Sequence, residues 1–125
     1  LIFGIGIDIV DIDRFQASVD RFGERFYQKI FTAIELAYCL KKVNSIESLA
    51  VRWAAKEAFS KAIGTGWRKP FHWKDIEVIN NPAGKPFISL KGELNNLLKN
   101  KVIHLSLSHS KTSAIAFVVI AENIQ

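Results

Sequence analysis

Leu49-Ala50-Val51-Arg52-Trp53-Ala54-Ala55-Lys56-Glu57-Ala58-Phe59-Ser60-Lys61-Ala62-Ile63, closed by Gly64-Thr65-Gly66, is the stretch that decides how the rest of the chain is read. Ala50, Ala54, Ala58 and Ala62 recur every fourth residue, so a helix here carries one stripe of small side chains against which another element can lie closely. Glu57 stands three residues after Ala54 and four before Lys61, on the flank of that stripe. Arg52, Lys56 and Ser60 make a second row. A buried helix with its charges escaping at the edge is one reading. A helix that aims Glu57 and Lys61 into a cleft is the other.

The partner of the stripe is sought in the first strand. Residues 2–10 alternate strictly: Phe3, Ile5, Ile7 and Ile9 share one face, and Gly4, Gly6 and Asp8 the other. Two glycines in a row on one face leave room for something to lie against the backbone, with a carboxylate at its end. Between strand and central helix, Asp13 with Gln16 suggests a capped helix from Arg14, burying Phe15, Val19 and Phe22. Arg14, Ser18, Arg21 and Arg25 form a basic ridge if helical phase survives Gly23. Thr32-Ala33-Ile34-Glu35 is a capping box that opens a helix to about Lys42. Asn44 or Ser45 caps the central helix, and Gly64-Thr65-Gly66 stops it. Residues 67–73 read as an aromatic and basic loop.

The C-terminal half alternates at strand period. Residues 75–80 and 87–90 predict a hairpin around Asn81-Pro82-Ala83-Gly84-Lys85-Pro86, followed by a short helix through Leu94, Leu97 and Leu98. In residues 102–108, Ile103, Leu105 and Leu107 face a core while His104, Ser106 and Ser108 face away. The apolar run over 113–121 predicts a strand buried on both sides. Residues 1–125 therefore form a single α+β domain, with antiparallel sheet packed against helices.

Composition narrows the function. At 125 residues, 49% apolar and 23% charged, the chain is an ordinary globular domain. No apolar run approaches the ~20 residues that span a bilayer, and the first residues lack the pattern of a signal peptide. One cysteine, Cys39, leaves no internal disulfide and no thiolate set for zinc, which suits a reducing cytoplasm. A formal charge of +5 points to an anionic partner. With no dense Lys/Arg block, nucleic acid is not the expected one. Neither a G-x-S-x-G elbow nor a P-loop occurs, and His72, His104 and His109 lack zinc spacing. What remains is two carboxylates, Asp8 and Glu57, each beside small residues, with lysines nearby. Two hard oxygen ligands completed by water and phosphate oxygens suit Mg²⁺. Lys56, Lys61, Lys85, His104, Ser106 and Ser108 could neutralise or bond phosphate oxygens. A phosphorylated-cofactor site is one reading; a basic docking module for an acidic or nucleic-acid partner, or another Mg²⁺-dependent phosphotransferase, are the others.

Several motifs, taken in order, resemble a known family. They are Gly4-Ile5-Gly6-Ile7-Asp8-Ile9-Val10; Phe31-Thr32 with Glu35; Arg52-Trp53-Ala54-Ala55-Lys56-Glu57-Ala58 with Lys61 and Gly64-Thr65-Gly66; Gly84-Lys85-Pro86; and His104-Leu105-Ser106-Leu107-Ser108-His109. Together they resemble bacterial holo-[acyl-carrier-protein] synthase, the short class of 4'-phosphopantetheinyl transferases, from near residue 4 to near residue 120. Leu1 departs from the family's initiating methionine, and nothing functional depends on it.

The resemblance implies a specific chemistry. The family moves 4'-phosphopantetheine from coenzyme A to a serine of apo-acyl carrier protein and releases adenosine 3',5'-bisphosphate. By resemblance, Asp8 and Glu57 hold Mg²⁺, and these two with Lys61 form the catalytic group. Arg52, Lys61, Gly84, Lys85, Pro86, His104 and Ser106 bind coenzyme A. Arg14, Arg21 and Arg25 dock the acidic carrier. The family is a homotrimer with sites between subunits, which implies that some of these groups come from a neighbouring chain.

Overall fold

The computed structural model describes residues 1–64 and 72–124. In chain order the elements are β1 (Ile2–Asp11), α1 (Ile12–Phe22), α2 (Glu24–Ile30), α3 (Ala33–Leu40), α4 (Ser45–Ile63), a 3₁₀ turn (Trp73–Asp75), β2 (Ile76–Asn80), β3 (Pro86–Leu90), α5 (Gly92–Leu97), β4 (Lys101–His109) and β5 (Ser113–Glu122). Strands β1, β5 and β4 form one antiparallel sheet in that order, and β2 pairs with β3 in a separate hairpin. Among the described residues, no helix is long and apolar enough to cross a membrane.

Helix α4 is the core. It lies on the three-stranded sheet, and the glycines of β1 are what allow it to. A Cβ built on Gly4 would fall 1.8 Å from the Ala62 carbonyl oxygen, and one on Gly6 would fall 1.9 Å from that of Ala58. The alanine stripe thus meets the glycine face backbone to backbone. Register then extends this inner face across the sheet: Gly6 pairs with Val118 and Asp8 with Ala116, while Leu105 pairs with Val118 and Leu107 with Ala116. Ala54, Ala58, Ala116, Val118 and Ile120 are fully buried between the layers. Hairpin residues Ile76 and Val78, with Leu94 of α5, close the other side of α4. Phe15, Phe31, Leu49 and Ala50 build a second cluster under the first three helices. A helix buried on nearly every side needs no single apolar stripe, which is why its charges read ambiguously.

The ends of the elements hold where local chemistry is explicit. Thr32 and Glu35 make the expected capping box, the 76–80 and 86–90 strands pair as the expected hairpin, and Gly64 stops α4 at φ 75°. The bounds of α3 and α4 fall within two residues of expectation. Thr65, Gly66 and most of the 67–73 loop lie outside the described residues.

Other expectations need correcting. Helix α1 is capped by Asp11, which accepts the Arg14 N–H at 3.0 Å, while Asp13 sits in its first turn. The strand runs straight into the helix, so the last strand residue is already the cap, and Gln16 bonds Asp20 instead. Gly23 at φ 59° breaks the helical phase, so Arg25 belongs to α2. At that break Phe22 is exposed, its ring 5.1 Å from the Arg21 guanidinium. Leu97 is likewise exposed. Strand β5 is buried on one face only: Ala114, Ala116, Val118 and Ile120 point at α4, whereas Ile115 and Phe117 are exposed. They join Phe3, Ile5, Ile7 and Ile9 on an apolar outer face that none of the described residues covers.

Candidate active site

Asp8 and Glu57 meet where the glycine face of β1 ends against α4. Asp8 is buried, and its Oδ1 accepts the Lys61 ammonium at 2.8 Å. Lys61, one turn beyond Glu57 on the helix, also donates to the Ile7 carbonyl at 3.1 Å and leaves about half its side chain in solvent. Among the described residues, the buried Asp8 Oδ2 has no fixed hydrogen-bond donor and faces only the Glu57 carboxyl, which can donate when protonated. The Glu57 carboxyl is pushed up to about 7, first by burial, then by the Asp8 charge and the hydrogen bond between the two carboxyls, with Lys61 offsetting part of the rise. The hydrogen bond to Asp8 in turn raises the Lys61 ammonium above its usual range. Two carboxylates held together by packing therefore share one exposed cation, and one buried oxygen has no donor except the opposing carboxyl. A small, hard divalent ion fits this donor set, completing its shell from water and phosphate oxygens.

Five residues back along α4, about 7.5 Å of helix rise, Arg52 anchors a cleft of about 420 Å³. Its side chain is buried, with Nη1 donating to the Ser48 carbonyl and hydroxyl at 3.3 and 3.2 Å and Nη2 to Asn80 Oδ1. Its Nε has no partner among the described residues. The guanidinium lies 4.7 Å from the centre of the Tyr38 ring, and Lys42 stands 4.6 Å from the same centre. Asn80 also donates to the Gly84 carbonyl at 3.0 Å, so the hairpin turn is tied to the arginine through one amide. Pro86 and His109 complete the walls. The result is a cationic, partly aromatic recess, suited to a phosphorylated nucleotide.

On the other side, Glu57 lines a cleft of about 350 Å³ that Arg14, Ser18, Phe26 and Trp53 share. Phe26 and Trp53 continue into a more apolar groove of about 600 Å³, bordered by Arg25, Lys29 and Trp73. Glu57 thus opens onto a surface edged with arginines.

A model of the 4'-phosphopantetheinyl transferase superfamily matches residues 4–119. The chain belongs to that superfamily. The transferase is similar to the holo-[acyl-carrier-protein] synthase of Halothermothrix orenii, 51% identical over 122 residues that cover 95% of this chain and 97% of the relative. The crystal structure of holo-[acyl-carrier-protein] synthase from Neisseria meningitidis matches at TM-score 0.91 and 34% identity, covering 98% of this chain and 100% of that one. That from Helicobacter pylori, in complex with coenzyme A, matches at TM-score 0.82 and 35% identity over 94% and 99% of the two chains.

The transferase brings together Asp8, Glu57 and Lys61, and separately Arg52 with the Gly84-Lys85-Pro86 turn. Within one chain it does not bring His104 or Ser106 to either group, since both are exposed on the outer face of β4. Arg14, Arg21 and Arg25 are exposed near one another in sequence but on two helices. Tyr38, Lys42, Asn80 and His109 were not among the expected site residues. For His109 a signal existed: it shares strand parity with Leu105 and Leu107, and so the inner face of β4.

Proposed function

We propose that this transferase moves 4'-phosphopantetheine from coenzyme A to a serine hydroxyl of apo-acyl carrier protein, supplying holo-carrier for fatty acid biosynthesis. The observation that carries the reading is the meeting of Asp8, Glu57 and Lys61 in a chain matched from residue 4 to 119 by the transferase superfamily. In the reaction the serine oxygen attacks the phosphorus that bears pantetheine. A serine O–P bond forms, the bridging P–O bond of the pyrophosphate breaks, and adenosine 3',5'-bisphosphate leaves with the bridging oxygen. Such transfer depends on in-line placement and charge neutralisation more than on covalent help from the protein.

Each group has a place in that scheme. The Arg52 recess takes the phosphorylated nucleotide end of coenzyme A, bordered by Gly84, Lys85 and Pro86. Asp8 and Glu57 would hold Mg²⁺, which when bound supplies positive charge against the pyrophosphate. Lys61 neutralises charge that builds on the transferred group. Glu57, on the cleft shared with Arg14, is placed to accept the serine proton directly or through water. The test is incubation with apo-carrier, coenzyme A and Mg²⁺, followed by mass spectrometry of the carrier. A gain of one phosphopantetheine mass is expected, and none beside an active control enzyme would end this reading.

Arg14, Arg21 and Arg25 are assigned to docking an acidic helix of the carrier. Reversing two of them, Arg14→Glu with Arg21→Glu, should weaken carrier binding by about tenfold at low salt, with the difference shrinking as salt is added. Equal affinity in titration calorimetry would remove the ridge from the docking surface.

A homotrimer is the assembly we infer. It is supported by the uncovered face of Phe3, Ile5, Ile7, Ile9, Ile115 and Phe117, an apolar patch that water-exposed monomers seldom keep. His104 and Ser106 stand on that same face, where they can reach only a neighbour's site. Sedimentation at micromolar concentration should give three times the chain mass; a monomer there would contradict the inference. The lone buried thiol of Cys39 accords with a cytoplasmic setting.

A further inference from the structure

Lys56 takes no part in the scheme above, although it is the most deeply buried cation among the described residues. Its ammonium spends all three donors: on Glu35 Oε1 at 2.9 Å, the Trp73 carbonyl at 3.0 Å and the Ile76 carbonyl at 2.5 Å. Burial pulls its pKa below that of ordinary lysine, with Glu35 opposing the shift. A buried ion pair is weak evidence for stability, since an apolar side chain can often fill the same space as well. What this pair does fix is position. The two carbonyls belong to Trp73, which opens the 3₁₀ turn, and to Ile76, which follows it, so one ammonium pins both ends of that turn to α4.

Trp73 carries the constraint onward. Its ring meets Trp53 edge to face at 4.5 Å, and Trp53 meets Phe26 at 6.5 Å. Trp53 lines both the Glu57 cleft and the aromatic groove bordered by Arg25 and Lys29. We propose that Lys56 is a positioning residue: by holding the Trp73 backbone it sets the Trp73–Trp53 wall against which the docked carrier presents its serine to Glu57. This rests on the transferase reading. The nucleotide recess at Arg52 includes neither tryptophan, so its substrate should not feel the change.

Steady-state kinetics with varied apo-carrier and varied coenzyme A separate the roles. Lys56→Met should raise the KM for carrier about tenfold and leave that for coenzyme A within about twofold. Trp73→Ala should raise the carrier KM similarly, and the double variant should be no worse than Trp73→Ala alone, because both act through one wall. Equal changes in both KM values, or effects that multiply in the double variant, would overturn the proposal. Should Lys56→Met fail to fold, Trp73→Ala decides: an unchanged carrier KM overturns the assignment, and a raised one with coenzyme A unaffected upholds it. A wild-type protein that adds no mass to the carrier would instead overturn the transferase reading, and this inference with it.

Discussion

Replacing Gly6 with alanine should unfold the protein or drive α4 off its sheet. The added methyl would sit 1.9 Å from the Ala58 carbonyl oxygen, 2.8 Å from the Ala62 nitrogen and 2.9 Å from the Ala58 carbonyl carbon. All three are backbone atoms of one helix, so no side chain can rotate out of the way. The helix must move as a body, which separates Ala54, Ala58 and Ala62 from Ala116 and Val118. Overpacking of a well-filled core costs about 1–3 kcal/mol where side chains can yield. Here they cannot, and about 4–5 kcal/mol is expected. That is a large share of the roughly 5–15 kcal/mol by which a domain is stable. Gly23→Ala is the control: among the described residues nothing lies within 4 Å of its added carbon, and only its backbone conformation, φ 59° and ψ −137°, is penalised, by about 1–3 kcal/mol. Urea denaturation should therefore show Gly6→Ala as the less stable of the two, by about 2–3 kcal/mol. A Gly6→Ala protein that unfolds near the wild-type midpoint would mean that strand and helix are not in backbone contact.

The strand–helix contact was legible because both partners write it in their own spacing: glycine at period two and alanine at period four. Asp8 and Glu57 were legible for the same reason, being the carboxylates that continue those two faces. The outer face of the sheet was harder. Isoleucines at period two read as core whatever covers them, and β5 reads as buried on both sides although the described residues cover only one. Local capping was legible where the box is complete, as at Thr32, and misplaced by two residues at Asp11, where strand and helix share a junction.

The buried charges were least legible. Glu35 reads as a capping residue, and it is one: its Oε1 accepts the Thr32 N–H at 2.9 Å. Yet the same carboxylate accepts Lys56, and its Oε2 takes the Val78 N–H at 2.8 Å, contacts formed only once α3, α4 and β2 have packed. No local pattern encodes partners that lie 17 to 43 residues apart, so a lysine among alanines reads as an edge charge when it is a knot. The Arg52–Asn80 bond has the same character, its partners standing 28 positions apart.

Glu57→Gln should cost about 10²–10³-fold in kcat/KM while leaving the fold as stable as before or more so. In the free protein Glu57 is a half-buried carboxyl facing Asp8, and it ionises at about 7 instead of 4.5. Between those two pH values the native state holds a proton that the unfolded chain has released. Stability is therefore fully present below pH 4.5 and declines as pH rises through 7. Glutamine cannot ionise, and its amide can donate to the facing Asp8 carboxylate at any pH. The variant's melting temperature should thus lose this decline and exceed that of wild type at pH 8. Added Mg²⁺ should reverse the wild-type decline at pH 8, since an ion between the carboxylates removes their repulsion, and should do little for the variant. Loss of activity with a gain in stability is the mark of charges brought together for function against the preference of the fold. Near-normal turnover would exclude Glu57 from the site. A Mg²⁺-dependent rise in melting temperature equal in both proteins would move the ion elsewhere.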